Sequence, residues 1–332
     1  MTLILVIPGL LWPRQVMLDT LYDADFPALQ TLLGKGRRLT SAGASADAWW
    51  CAHFGIGLEE FAAAPLRLVA AGRDAGDSTW LCADPVHLHT DQRGPTLMDP
   101  ASLPIDADEA AQLHATLAPL FAAVGELLVT TPSQWHLRLT IPAPALPARL
   151  YDFVELSAAA FLPQGDEGRR WRQLLNEVQM TLHAHPVNAA RTARGQTEIN
   201  SIALWGSGRP PALQARTRST LFSDDSIIVG AGKLAGLPVQ PLPACFSSTA
   251  ADGIVHWNLL QAPAASHNAQ AWHEGLQRLD NDWLAPALAA LASGELKRIE
   301  LHGFGDEKPV SISMTGLDRI RFWRKPRRLE SM

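Results

Sequence analysis

Short strand-like apolar runs, separated by segments of helical periodicity, constrain this chain more than any other feature. Leu3-Ile4-Leu5-Val6-Ile7 closes on Pro8-Gly9, and further strands are read at Ser201–Trp205, Ser226–Val229 and Gly253–Trp257, with Arg298–His302 as a last central strand. A run that is apolar at every position is the pattern of a strand covered on both faces. Leu66–Ala71 reads as another such run and Trp80–Ala83 as the next, while Leu127–Ile141 alternates in the manner of half-buried strands. Between them, Asp25 is the expected N-cap of a helix with Pro27 in its first turn, and Gly34 and Gly36 end it. Asp106–Glu126, residues 166–185 and residues 268–292 read as three more helices. In the second of these, Trp171, Leu174, Leu175, Val178 and Leu182 recur at helical spacing. Strands alternating with helices predict βαβ units and an α/β fold with a mostly parallel sheet.

At 332 residues the chain is long enough for two domains or one enlarged α/β domain, and the strand order favours the second. Residues 1–95 and 200–332 are expected to build the core, with 96–199 as an inserted or cap region. The three prolines of Pro142–Pro147 mark the best linker. With 47% apolar residues the chain can bury a substantial core, which excludes disorder.

Net charge is −5, from 28 Lys plus Arg and 33 Asp plus Glu, so no nucleic-acid partner is implied. The exception is the basic run Arg319, Arg321, Arg324, Lys325, Arg327 and Arg328, read as a solvated tail rather than a contact with an anionic surface. Three well-separated cysteines exclude a disulfide framework and fit a reducing compartment. No positive region precedes the first apolar run, and no apolar stretch reaches the roughly 18 residues needed to span a bilayer. A cytoplasmic protein with no membrane partner is expected.

Few motifs carry chemistry. Gly230-Ala231-Gly232-Lys233-Leu234-Ala235-Gly236 follows an apolar run but lacks the first glycine and the hydroxyl of a Walker loop, so helix-packing glycines are favoured. Trp205, Gly206, Gly208 and Arg209 form a turn after a strand, where open α/β sheets bind ligands. Arg191, Arg194 and Asn200 lie nearby in sequence and suit a phosphate or carboxylate. A rigid loop whose arginines pair with Glu177 and Glu198 accounts for the same residues. The pairs His87-x-His89 and His183-x-His185 lack a third ligand, and no G-x-S-x-G elbow is present.

Asn200–Pro210 and Ile227–Leu237 resemble cofactor-independent phosphoglycerate mutases of the archaeal type, within the alkaline-phosphatase-like superfamily. The opening strand ending in Gly9, followed by Phe26-Pro27-Ala28-Leu29, Leu32 and Gly36, is similar to the superfamily's start. Trp80–Leu88, Asn176–Met180 and His185–Asn188 resemble a proteobacterial family of phosphoglycerate-mutase-like proteins, also labelled RpfE-type regulatory. The resemblance implies an alkaline-phosphatase-like three-layer αβα sandwich with an inserted middle region. It also implies two divalent metals held by aspartates and histidines, with a Ser or Thr nucleophile at a helix N-terminus. Laid onto this chain, the three aspartate positions fall on Pro8, Pro263 and Leu301, whereas His267 and His302 keep residual metal-ligand positions. Ser45, or else Ser41, stands where the nucleophile would be.

Hard divalent ions need oxygen ligands, so no metal and no other cofactor is expected. The leading expectation is a pseudoenzyme, a regulatory or metabolite-binding protein that takes a phosphorylated or carboxylated small molecule. Its alternative is an active mutase or phosphatase using Ser45 with Mn or Mg in an altered set including His267 and His302. A third reading, a scaffold for a protein partner, rests on eleven tryptophans and the basic run.

Overall fold

The computed structural model describes residues 1–91, 94–151, 154, 162–163, 165 and 167–332. Two compact units divide the chain, one of Met1–Phe61 with Ala212–Met332 and one of Ala62–Pro211. The first begins with β1 (Thr2–Leu11), α1 (Arg14–Thr20), α2 (Pro27–Lys35), β2 (Arg37–Arg38) and α3 (Ala46–Phe54). The second contains α4 (Ala63–Ala70), β3 (Trp80–Val86), β4 (Leu88–Asp91), β5 (Gly94–Leu97), α5 (Ala107–Phe121) and β6 (Gly125–Thr131). It continues with β7 (Gln134–Leu139), α6 (Glu167–His183), α7 (Pro186–Ala193) and β8 (Ser201–Gly208). The chain then returns to the first unit with β9 (Thr220–Phe222), α8 (Ser226–Leu234), β10 (Val239–Gln240) and β11 (Gly253–His256). Its last elements are α9 (Gln261–Ala265), α10 (Ala269–Arg278), α11 (Ala285–Ser293), β12 (Arg298–Gly305), β13 (Val310–Thr315) and α12 (Gly316–Arg319).

The first unit has the expected α/β class. Its seven strands run β10-β9-β11-β1-β12-β13-β2, parallel from β10 to β12 and antiparallel at β13 and β2. On one face, Leu3, Leu5, Ile7, Val255, Ile299 and Leu301 are buried in a core shared with α2, α10 and α11. The other face carries α3 and α8, so the sheet is a middle layer between helices. Gly232 lets α8 close on the sheet: a Cβ there would stand 2.5 Å from Leu221 Cδ2.

In the second unit, β6-β7-β3-β8 form a wholly antiparallel sheet packed on α5 and α6. Residues 62–95 and 200–211, assigned from the sequence to the core, go with this unit, because β3 and β8 pair with each other rather than with β1.

Several local expectations are corrected. Leu66–Ala71 and Ser226–Val229 are helical, in α4 and α8; Asp225 caps α8 by accepting from the backbone N–H of Ile227 and Ile228 at 2.9 and 3.0 Å. A short β-branched run does not separate strand from helix, and the cap decides. The first strand passes through Pro8-Gly9 to Leu11 on a register shift, with Gly9 at φ 75°. Asp25 does not cap α2. That role falls to Asp280, whose buried carboxylate accepts from Leu29 N at 2.6 Å and Ala28 N at 3.4 Å. Asp280 sits in a π-helical turn, Leu279–Leu284, between α10 and α11, so the one long helix expected over 268–292 is helical throughout but widened at that point.

Gly9 combines a left-handed φ with a Cβ direction that ends 2.5 Å from Leu260 O. Gly9→Ala is expected to lose about 2–4 kcal/mol, the sum of the backbone and overpacking costs. Gly236→Ala, at φ 71° with nothing within 4 Å, should lose only the backbone part, about 1–2 kcal/mol. Urea unfolding of the two variants checks this, and equal losses would contradict it.

Candidate functional site

In-register parallel pairing builds the candidate site. Val6 on β1 pairs with His256 on β11 and with His302 on β12, and register partners in a sheet point to one face. One residue beyond the last β9–β11 pair, Ser223 reaches His256, its Oγ 3.3 Å from Nδ1. On the other side His302 pairs with Ser311 of β13, whose Oγ lies 2.9 Å from Nδ1. The result is a buried row across five strands, Ser223, His256, Val6, His302 and Ser311.

Helix α3 covers this row. Its Trp50 ring lies 5.7 Å from His256 and its Trp49 ring 5.2 Å from His302, while His53 stacks on Trp49 at 5.4 Å. Ser45 is the N-cap of that helix, is exposed, and accepts from Ala48 N at 3.2 Å. Trp50 Nε1 and His53 Nε2 are buried without a protein partner. Burial, helped by the charge of Arg216, lowers the His53 pKa to about 4, so its ring is neutral near pH 7.

The remaining family positions are filled by other chemistry. Pro8 is buried and has no donor or ligand atom in its side chain. Leu301 lies on the opposite face from His302, paired with Leu5 in the core. His267 is exposed at φ 52° and stacks on Trp12 at 6.4 Å, so it and His302 have different surroundings. The carboxylate beside His302 is Glu300, at 3.9 Å from Nε2, and Arg298 holds its other oxygen at 3.4 Å. His302 and Arg298 keep Glu300 below the usual carboxylate range despite burial. Two imidazoles, two hydroxyls and one carboxylate, already held by Arg298, do not match the oxygen-rich donor set that a pair of hard dications requires. Among the described residues no group of three or more His, Cys, Asp and Glu is placed to hold a metal ion.

The arginines and turn expected to bind an anion lie in the second unit and are engaged internally. Arg191 is fully buried and donates to Glu109 at 2.6 Å, Thr197 O at 2.7 Å and Pro104 O at 3.0 Å. Arg194 pairs with the other oxygen of Glu109, which also closes the capping box of α5 with Asp106. Asn200 exchanges two hydrogen bonds with the backbone of Leu88. Neither Glu177 nor Glu198 is the partner of these arginines; Glu198 bonds Thr192 instead. Gly206 and Gly208 make room for Ala63 and Ala62 of the α4 start, and exposed Arg209 reaches Thr79.

Trp205 is part of a cluster that reading the sequence missed. Asp84 receives Arg67 through two bonds of 2.7 and 3.0 Å, Trp205 Nε1 at 2.9 Å and Trp135 N at 2.9 Å, with the Arg67 guanidinium over the Trp205 ring. Around it, burial pushes the Cys82 thiol up to about 12, and burial with the Arg67 charge lowers His136 to about 3. Every polar atom of Asp84 is used, so this is a structural centre. Asp84 and Arg67 stand 17 residues apart and gave no local signal.

No family model matches the chain. Sequence relatives are found over about a quarter of the chain. The 2,3-bisphosphoglycerate-independent phosphoglycerate mutase of Methanosarcina mazei is 32% identical over 84 residues, 24% of this chain and 21% of that protein. A probable 2,3-bisphosphoglycerate-independent phosphoglycerate mutase of Geobacter sulfurreducens is 31% identical over 94 residues, 27% of this chain and 24% of that protein. Over those residues the chain is phosphoglycerate-mutase-like. It spans about a quarter of the length of these curated relatives. Among solved structures, the PH0037 protein of Pyrococcus horikoshii aligns with a TM-score of 0.52 at 13% identity, over 95% of this chain and 87% of that one, a likeness of fold. Among the described residues, no helix of this phosphoglycerate-mutase-like chain is long and apolar enough to cross a membrane.

Two stability predictions follow from the buried groups. His53 and His136 have folded pKa values below the ordinary 6.5, so the unfolded chain takes up protons first as pH falls. Their stabilisation is complete above pH 6.5 and is lost between 6.5 and about 4 for His53, and down to about 3 for His136. Urea midpoints should be level from pH 7 to 8 and fall below pH 6.5; a midpoint unchanged at pH 4.5 would contradict the burial of neutral rings. Arg67→Met leaves the Asp84 carboxylate buried and unpaired and should cost about 3–5 kcal/mol. Arg67→Met with Asp84→Leu should recover most of that in the same assay.

Proposed function

We propose that this phosphoglycerate-mutase-like chain does not perform metal-dependent phosphoryl transfer and acts as a regulatory or metabolite-binding protein. The observation that carries this reading is the histidine row: His256 and His302 are bonded to serines, roofed by Trp50 and Trp49, and flanked by Pro8 where the resemblance calls for a carboxylate. Metal-assisted transfer requires a cation that activates the nucleophile and neutralises developing charge. Around His256 and His302 the donors are imidazoles and hydroxyls with the single carboxylate of Glu300, which Arg298 already holds, too few oxygen ligands for a pair of hard dications. The metabolite part of the reading does not rest on Arg191, Arg194 or Asn200, which are engaged by Glu109, Gln196 and the backbone of Thr197, Pro104 and Leu88. It rests on the first unit, where Ser45 is exposed and the buried Trp50 and His53 nitrogens stand without protein partners.

A second reading has one observation in its favour. Ser45 stands exposed at the N-cap of the helix that covers His302, the position of a nucleophile in an active enzyme.

Coupled assays of 3-phosphoglycerate to 2-phosphoglycerate conversion in millimolar Mn or Mg separate the two. The proposal predicts no turnover above the buffer rate and the same trace for Ser45→Ala. Metal-dependent turnover abolished by Ser45→Ala would sink it. Metabolite binding is read as a metal-independent rise in thermal stability with 3-phosphoglycerate, about 2.7 kcal/mol at a hundredfold excess over Kd.

A further inference from the structure

The basic C-terminal segment is not a loose tail. Asp318 is fully buried and gathers Arg37, Arg321 and Thr315 around its carboxylate. Arg324 donates to Gly36 O at 2.8 Å and Lys35 O at 3.3 Å, and Arg327 N donates to Gln30 O at 2.9 Å. At Gly34 the absent side chain lets residues 325–327 lie directly on α2, since a Cβ would stand 2.1 Å from Lys325 O. The segment is therefore a fixed platform on the end of α2 and on β2.

On that platform four large apolar side chains project into solvent: Leu317 is 72% exposed, Ile320 68%, Phe322 88% and Trp323 66%. The Phe322 and Trp323 rings meet edge to face at 5.1 Å. Around them residues 316–328 carry six cations and one carboxylate, the buried Asp318, in a chain whose overall charge is −5. Arg37 and Arg38 of β2 add to the same field. Monomers rarely leave such side chains clustered and bare, and a basic rim around aromatic and aliphatic projections matches a surface that is anionic outside and apolar beneath.

We propose that this platform docks on an anionic phospholipid bilayer. Phe322, Trp323, Ile320 and Leu317 enter the interfacial region, and Arg319, Lys325, Arg327 and Arg328 meet the headgroup phosphates. Exposures of two thirds and more mean that these side chains protrude, as insertion into a fluid interface requires. Leu317 and Ile320 offer nothing to base stacking, so a nucleic acid is the poorer match. Contact is peripheral, in keeping with the absence of a spanning helix among the described residues.

Co-sedimentation of the full chain with vesicles of phosphatidylcholine, with and without 30 mol% phosphatidylserine, tests this. Expected is binding at least about tenfold stronger to the anionic vesicles, reduced about tenfold or more by 0.5 M salt, by Phe322→Ala with Trp323→Ala, and by Arg319→Glu with Lys325→Glu. All four replaced side chains are exposed, and unchanged thermal melts confirm that the variants fold. Equal affinity for both vesicle types, no binding at millimolar lipid, or binding indifferent to both double variants would overturn the proposal. Binding to a single-stranded oligonucleotide that shows the same variant losses, without vesicle binding, would overturn it as well.

Discussion

Parallel pairing of β1 between β11 and β12 is the constraint on which the rest of the first unit depends. It sets Val6 against His256 on one side and His302 on the other, and it alternates the remaining residues between two faces. Leu3, Leu5, Ile7 and Leu301 take the core face. The histidines take the face that α3 covers. A slip of one residue would exchange the two sets, placing imidazoles in an apolar core and leucines under Trp49 and Trp50. The same register thus fixes the core and the chemistry of the candidate site.

That chemistry is poor in carboxylates, Glu300 being the one beside His302. Each of His256 and His302 has a serine on the neighbouring strand as partner, and His53 is held uncharged by burial. Two further charged centres, Asp84 with Arg67 and Glu109 with Arg191 and Arg194, lie in the second unit and are held by internal ion pairs. Removing one partner of such a pair is costly, but the intact pair leaves little attraction for a ligand. Arg191 and Asn200, suitable in type and spacing for an anion, are thus engaged inside the second unit.

The centre of the parallel sheet was legible in the sequence through the largely apolar β1 and β11, and α5 was legible because Asp106 and Glu109 form a capping box. Failures occurred where a distant residue decides the outcome or where a cap outweighs strand propensity. Asp280 caps α2 from about 250 residues away, leaving Asp25 without that role. Ser226–Val229 looked like a strand since Ile and Val suit strands, and Asp225 immediately before them was the overlooked helix signal. At the site, Ser45 and His302 were found through family resemblance, but His53 and His256 were not. His256 had an available signal: it ends an apolar run, Gly253-Ile254-Val255, as His302 does after Leu301. Arg191 and Asn200 were correctly seen as donors; their burial depended on Glu109 and Leu88, about 80 and 110 residues away.

Anomalous diffraction from crystals soaked in millimolar Mn at neutral pH tests the central claim most directly, since it reports the metal's position without requiring activity. The account predicts no anomalous peak within bonding distance of His256 or His302. Two peaks about 3.5–4 Å apart beside these rings and Ser45 would contradict it.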